Sequence, residues 1–93
     1  MAIQARRIVV HGRVQGVGFR YFVQRAGSRL GLTGKVWNRP DSAVEIVAEG
    51  SEPQLEAFLR EVRQGPRMSE VDRVDVEEIP AGPRQTSFTI EGF

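Results

Sequence analysis

The chain lacks several of the residues on which common enzyme sites depend. It contains no cysteine, which excludes disulfides, thiolate nucleophiles and cysteine-ligated zinc or iron–sulfur sites. Its single histidine, His11, provides no set of imidazoles for a metal centre, so we predict neither a metal nor a cofactor. No apolar run approaches the roughly 20 residues that span a bilayer, and no charged-then-apolar leader follows Met1. We therefore expect a cytoplasmic protein with no membrane partner.

Acidic residues are missing from the first forty positions. Residues 1–40 contain eight arginines and lysines and no acid, whereas the remainder contains five basic and twelve acidic residues, which gives the net charge of +1. Such an asymmetry indicates a region that attracts anions, either a small phosphate or carboxylate ligand or a nucleic-acid backbone. The alternative is that these cations are scattered over solvated faces.

A length of 93 residues predicts one domain over residues 1–93, with a single core. Strands are predicted at about residues 5–11, 33–38 and 43–49, around Val74 and Val76, and briefly at Phe88 and Ile90. Helices are predicted from Phe19 to Leu30 and after a capping box at Ser51. The order β-α-β-β-α-β with a short extra C-terminal strand predicts an α+β ferredoxin-like sandwich, an antiparallel sheet with two helices on one face.

This topology has a consequence for function. The third strand fits between the first two, which are parallel, so the loop after the first strand and the end of the second emerge at the same edge of the sheet. Two inter-strand spacings separate them, roughly 9–10 Å. We therefore expect the segment from Gly12 to Phe19 to lie near Asn38.

The loop in question reads HGRVQGVGFR, from His11 to Arg20. Glycines followed by a helix start can aim backbone N–H groups and the positive helix end at an anion, and Arg20 adds a fork that matches phosphate oxygens. The segment lacks the Gly-Lys-Ser/Thr of a Walker loop, has Tyr21 where a dinucleotide loop needs glycine, and lacks the cysteine of a tyrosine-phosphatase loop. Spacing alone leaves a structural turn and an anion cradle both open.

Two segments of the chain read as family signatures. The first is Val10-x-Gly12-x-Val14-Gln15-Gly16-Val17-x-Phe19-Arg20, and the second is Gly34-Lys35-Val36-Trp37-Asn38 followed by Val44 and Gly50. Both resemble signatures of the acylphosphatase family, the first at every defined position. Three positions depart from the family pattern: Lys35 replaces an aromatic, Trp37 a basic or polar residue, and Ser42 a turn glycine, which would require a different hairpin turn.

The resemblance implies hydrolysis of an acyl phosphate, a small molecule, to a carboxylate and inorganic phosphate. Arg20 and Asn38 would be catalytic, with Arg20 on the phosphoryl group and Asn38 orienting the attacking water. The remaining phosphoryl contacts would come from the backbone amides of Gln15, Gly16, Val17, Gly18 and Phe19. We expect a monomer that binds no nucleic acid.

Two rival functions use the same fold. An RNA-binding module would suit the basic first half, but its third strand should carry exposed aromatics, and here residues 43–49 read AVEIVAE. The other rival is an anion-sensing domain that kept the cradle and lost the chemistry. His11 is predicted to be structural or exposed, and Trp37 to be a partly buried strand residue.

Overall fold

The structure, a computed structural model, describes residues 2–83 and 85–92 and contains five strands and two helices. In chain order these are β1 (Gln4–Arg13), α1 (Phe19–Arg29), β2 (Thr33–Asn38), β3 (Val44–Gly50), α2 (Glu52–Gln64), β4 (Glu70–Ile79) and β5 (Phe88–Ile90). The predicted order of elements is therefore confirmed. Neither helix is long and apolar enough to cross a membrane, within the part of the chain described.

The strands form one sheet in the order β4-β1-β3-β2-β5. β3 lies between β1 and β2 and pairs antiparallel with both, so β1 and β2 run in the same direction, as predicted. β4 also pairs antiparallel with β1. The short β5 adds parallel to β2 at the other edge, which makes the sheet mixed rather than wholly antiparallel.

Side chains that alternate between buried and accessible positions along the central strands form the core. Ile8, Val36 and Ile46 have no exposed surface and sit at matching positions on β1, β2 and β3. α1 packs against β2 and β5, and α2 against β3 and β4. Each helix contributes an apolar stripe to the same cluster, namely Phe19, Val23 and Ala26 from α1 and Leu55, Phe58, Leu59 and Val62 from α2.

The capping box predicted at Ser51 is present. The Ser51 hydroxyl accepts from the Gln54 amide, and the Gln54 side chain accepts from the Ser51 amide at 2.8 Å. The same Gln54 side chain donates to the carbonyl of Leu30, just past the end of α1. The start of α2 thus also holds the end of α1.

β4 is less buried than its sequence pattern predicts. Val74 and Val76 were expected to make it half-buried, yet Val76 is 39% exposed and the strand is mostly solvent-accessible. The reason is its place at the edge of the sheet, where only one neighbouring strand and part of α2 cover it.

The hairpin between β2 and β3 corrects the expectation for Ser42. A serine was expected to require a different turn, but Ser42 itself adopts the left-handed conformation, with φ 78°. The turn is closed by hydrogen bonds from the Arg39 amide to the Ala43 carbonyl and from the Ser42 amide to the Arg39 carbonyl. A left-handed non-glycine residue costs on the order of 1 kcal/mol, which the β2–β3 ladder can outweigh.

Replacing Ser42 with glycine should therefore stabilise the protein. We expect Ser42→Gly to raise the free energy of unfolding by about 0.5–1 kcal/mol, because glycine adopts positive φ without a Cβ clash. Urea denaturation measures the change. Ser42→Ala, which keeps the Cβ, is the control and should give no gain; equal stability of the two variants would contradict the account.

Candidate active site

The loop between β1 and α1 is fixed at its ends and open in its middle. Val14 and Phe19, at its two ends, are each 1% exposed and belong to the core cluster. Val17 packs against the same cluster, whereas Gly16 and Gly18 are exposed. Burial of the flanking apolar side chains thus holds a loop whose backbone faces solvent.

The glycines of this segment have two different functions. Gly16 and Gly18 have φ values of 75° and 77°, and a Cβ built on either would meet nothing within 4 Å. They are required by backbone conformation, and the space beside them is open. Gly12 was expected to act with them, but a Cβ there would lie 2.1 Å from the Glu70 carbonyl oxygen, at a bulge in the β1–β4 pairing. Gly12 therefore permits close strand contact.

The backbone N–H groups of this loop have no acceptor within the described residues. The amides of residues 15–20 donate no hydrogen bond to any acceptor in residues 2–83 and 85–92, and the first bond of α1 runs from Phe22 to the carbonyl of Gly18. No side chain caps the helix, whose N-cap is Gly18 in the left-handed conformation. Unsatisfied amides together with the positive end of a helix form a site for an anion.

The side chain of Gln15 fastens the loop to the β2–β3 hairpin. Its amide nitrogen donates to the carbonyls of Arg39 and Ala43, at 2.8 and 2.9 Å. From the sequence, Gln15 is predicted to contact the ligand only through its backbone amide, so this side-chain function was missed. Its one signal in the sequence was a long polar residue in an otherwise apolar loop.

Asn38 ends β2, directly before that hairpin. The following turn is held by the Arg39 guanidinium, which donates to Asp41 at 2.9 Å and to Glu45 at 3.2 Å. The hydrogen bond from Arg39 holds the pKa of the Asp41 carboxyl below its usual value, and the Ala43 amide adds to the effect. An ionised, tightly held turn thus supports the strand end that carries Asn38.

Arg20, in the first turn of α1, contacts the chain after β5. One guanidinium nitrogen donates to the Glu91 carbonyl at 3.3 Å. For the other guanidinium N–H groups, no acceptor occurs within residues 2–83 and 85–92. The side chain is thus oriented by one backbone oxygen and keeps donors for a ligand.

A cavity of about 170 Å³, called here the loop cavity, brings these elements together. Five of the seven predicted site residues line it: Gly16, Gly18, Phe19, Arg20 and Asn38. Gln15 and Val17 do not, because their side chains turn to the hairpin and to the core. The expectation that the loop and Asn38 share one edge of the sheet is therefore met.

Three further residues line the loop cavity and were not predicted for it: Val14, Tyr21 and Ile90. Ile90 comes from β5, whose pairing with β2 brings it beside the loop. A three-residue strand more than fifty positions from Asn38 carries no sequence signal for that contact.

No carboxylate or histidine lines the loop cavity, as far as the described residues extend. His11 lies instead on the open face of the sheet, where its ring is 3.1 Å from Asp75 and 3.1 Å from Arg73. Its predicted structural or exposed position fits this arrangement. No group of three potential metal-ligating side chains occurs in the part of the chain that the structure describes.

Comparison with known proteins identifies the family. The Acylphosphatase family model matches residues 6–90. An acylphosphatase of Thermotoga petrophila is 50% identical over 98% of this chain and all of its own length, and one of Koribacter versatilis is 48% identical over 96% of this chain and 81% of its own length.

The solved structures agree with the sequence comparison. The crystal structure of acylphosphatase from Bacillus subtilis superposes with a TM-score of 0.92 at 44% identity, and the match covers 96% of this chain and 99% of that one. The family model, full-length relatives and fold coincide over nearly all residues. The chain belongs to the acylphosphatase family, and it is a hydrolase.

Proposed function

We propose that the protein hydrolyses acyl phosphates through a phosphoryl site formed by the loop cavity. The observation that carries the proposal is the convergence on one small cavity of loop amides that have no acceptor in the described chain, of Arg20 and of Asn38. Membership of the acylphosphatase family supports the substrate class. The amides of Gln15, Gly16, Val17, Gly18 and Phe19 and the Arg20 fork would hold the phosphoryl oxygens.

The reaction needs little acid or base chemistry from the protein. Water forms a bond to phosphorus while the bond from phosphorus to the acyl oxygen breaks, and the electron pair leaves with the carboxylate. Because the conjugate acid of that carboxylate has a pKa of about 4, it leaves without a proton at neutral pH. A cavity to which the described residues contribute no carboxylate or histidine is compatible with such a reaction.

The protein must still bind the phosphoryl group and stabilise its negative charge. Backbone amides and a helix N-terminus act as fixed dipoles that need no reorganisation when charge moves to the equatorial oxygens. Arg20 supplies full positive charge in a planar fork, and its contact with Glu91 keeps it in place. The loop glycines allow the backbone, rather than side chains, to approach the phosphoryl oxygens.

Asn38 would position the attacking water. A side-chain amide both donates and accepts, so it can hold a water with a lone pair aimed at phosphorus. No base is assigned among the residues that line the loop cavity, and we propose that an oxygen of the substrate's own phosphoryl group takes the proton. The products are then the carboxylate and inorganic phosphate.

Arg20 should be required for both binding and turnover. Arg20→Ala is expected to lower kcat/KM for benzoyl phosphate by a factor of 100 or more, since loss of one transition-state donor costs roughly 3–4 kcal/mol. Inhibition by inorganic phosphate should be mostly lost as well. Arg20→Lys should also fail, because a point charge does not replace the two-pronged contact.

Arg13→Gln provides the matched control for charge. Arg13 is an exposed residue at the end of β1, and its guanidinium is 3.8 Å from Glu70. The variant loses the same charge close to the same loop and should keep its activity. A similar loss in both variants would mean that general electrostatic attraction, and not a contact from Arg20, explains the effect.

Asn38 should be required for turnover alone. In Asn38→Ala we expect kcat to fall by a factor of about 100 or more, while the inhibition constant for phosphate changes little, because the water-holding amide is not among the phosphoryl ligands. Steady-state kinetics with phosphate as competitor separates the two quantities. Normal hydrolysis of benzoyl phosphate by this variant would refute the water-orienting role.

The Gln15 clamp should control the geometry of the loop. Gln15→Glu keeps the shape of the side chain but sets a carboxylate oxygen against the Arg39 and Ala43 carbonyls. Losing two hydrogen bonds and gaining repulsion should cost about 2–4 kcal/mol in stability and lower kcat/KM more than tenfold. Gln24→Glu, in α1, where the amide nitrogen donates to the Phe88 carbonyl, makes the same change outside the loop cavity and should lower kcat/KM less than twofold.

One assay separates this function from its rivals. Benzoyl phosphate is followed by absorbance with and without inorganic phosphate. Turnover that is inhibited by phosphate supports the enzyme. Phosphate binding without turnover supports an anion sensor, and absence of both would favour nucleic-acid binding.

A further inference from the structure

Two grooves open from the loop cavity on different sides. The first, called here the α1 groove, has a volume of about 480 Å³ and lies between α1 and the C-terminal end of α2. It shares Gly18 and Tyr21 with the loop cavity, and Phe22, Arg25 and Pro66 line it further on.

The second groove lies on the side of β2. It has a volume of about 440 Å³ and is lined by Lys35, Trp37, Asn38, Glu91 and Gly92, and it shares Asn38 with the loop cavity. We call it the β2 groove. An acyl group bound at phosphorus could extend into either one, so the direction of attack decides between them.

In-line displacement assigns the acyl group to the α1 groove. In phosphoryl transfer the attacking and leaving oxygens lie on opposite sides of phosphorus. If Asn38 holds the water, the attack comes from the β2 side, and the acyl oxygen leaves toward Gly18 and Tyr21. This step rests on the proposed function of Asn38.

The chemistry of the α1 groove indicates what kind of acyl group it binds. Tyr21, Phe22 and Pro66 give it apolar and aromatic walls, and Tyr21 is 59% exposed. The guanidinium of Arg25 lies over the Tyr21 ring, 5.5 Å from its centre. Arg29, also in this groove, is neutralised by an ion pair with Glu61.

Arg25 is one of three basic residues among positions 1–40 that have no carboxylate partner in the described chain. Five of the eight basic residues in the first half of the chain form ion pairs with carboxylates, namely Arg6, Arg7, Arg13, Arg29 and Arg39. The other three, Arg20, Arg25 and Lys35, have no carboxylate partner within residues 2–83 and 85–92. They line the loop cavity, the α1 groove and the β2 groove, respectively.

We propose that the α1 groove binds the acyl group and favours acyl phosphates that carry an apolar or aromatic body with a second anionic group, which Arg25 contacts. Arg25 is thus a specificity-determining residue. The cation stacked on the Tyr21 ring is already oriented, and an anionic substituent would complete the pair that no carboxylate of the described chain provides.

Two rigid aromatic acyl phosphates test this assignment. Benzoyl phosphate and 4-carboxybenzoyl phosphate differ only by the distal carboxylate, and both hydrolyses are followed by absorbance. The quantity measured is the ratio of kcat/KM for the carboxylated over the plain substrate. Arg25→Gln should lower this ratio about fivefold relative to the unmodified protein, the effect of one partly exposed ion pair. Lys35→Gln removes the same charge from the β2 groove and should leave the ratio unchanged.

The results distinguish a failure of the α1-groove assignment from a failure of the proposed hydrolase function. A ratio that falls only in Lys35→Gln would place the acyl group in the β2 groove. An equal fall in both variants would mean that long-range attraction explains the preference. Either result, or a ratio that neither variant changes, overturns the assignment. In all three cases the protein still hydrolyses benzoyl phosphate. Failure of the unmodified protein to hydrolyse either substrate would instead refute the proposed function.

Discussion

The loop between β1 and α1 carries a run of backbone N–H groups that the described chain does not satisfy, and much of the molecule serves to hold that run in place. Amides without partners are unfavourable unless water or a ligand accepts from them. Here both ends of the loop are anchored by buried side chains, Val14 and Phe19, while Gly16 and Gly18 between them are exposed and adopt positive φ. The core thus provides the rigidity, and the loop provides the donors.

The order of strands supplies the second requirement. Because β3 is inserted between β1 and β2, the end of β2 lies close enough to the loop for one side chain to reach both. Gln15 uses this closeness to fasten the loop to the hairpin, and Asn38 uses it to face the loop cavity. β5 then brings Ile90 and the Glu91 carbonyl to the other side of Arg20. A short edge strand therefore completes the site.

The charge asymmetry of the sequence takes a different meaning in the fold. Read along the chain, the basic first half suggested a broad anion-attracting region. In the folded molecule most of these cations are neutralised by acids of the second half, as in the pair of the buried Arg6 with Glu56 at 2.8 Å. Of these eight residues, Arg20, Arg25 and Lys35 have no carboxylate partner among the described residues, and they line the loop cavity and the two grooves beside it. Counting charge by sequence position overstated the size of the attracting surface.

The sequence by itself determined the order of the elements, the capping box at Ser51, the strand-loop-helix around the glycines and the placement of Arg20 and Asn38 at one edge of the sheet. These are local patterns or follow from the right order of strands, so the chain carries them directly. Only the tertiary structure decided that Ser42 takes a left-handed conformation, that Gly12 serves strand contact, that the Gln15 side chain clamps the hairpin and that Ile90 and Tyr21 line the cavity. Each of these depends on contacts between segments distant in the chain, or on a balance between local backbone strain and the hydrogen-bonded ladder around it. Because neither kind of dependence produces a periodic pattern of residues, the sequence alone does not predict these features.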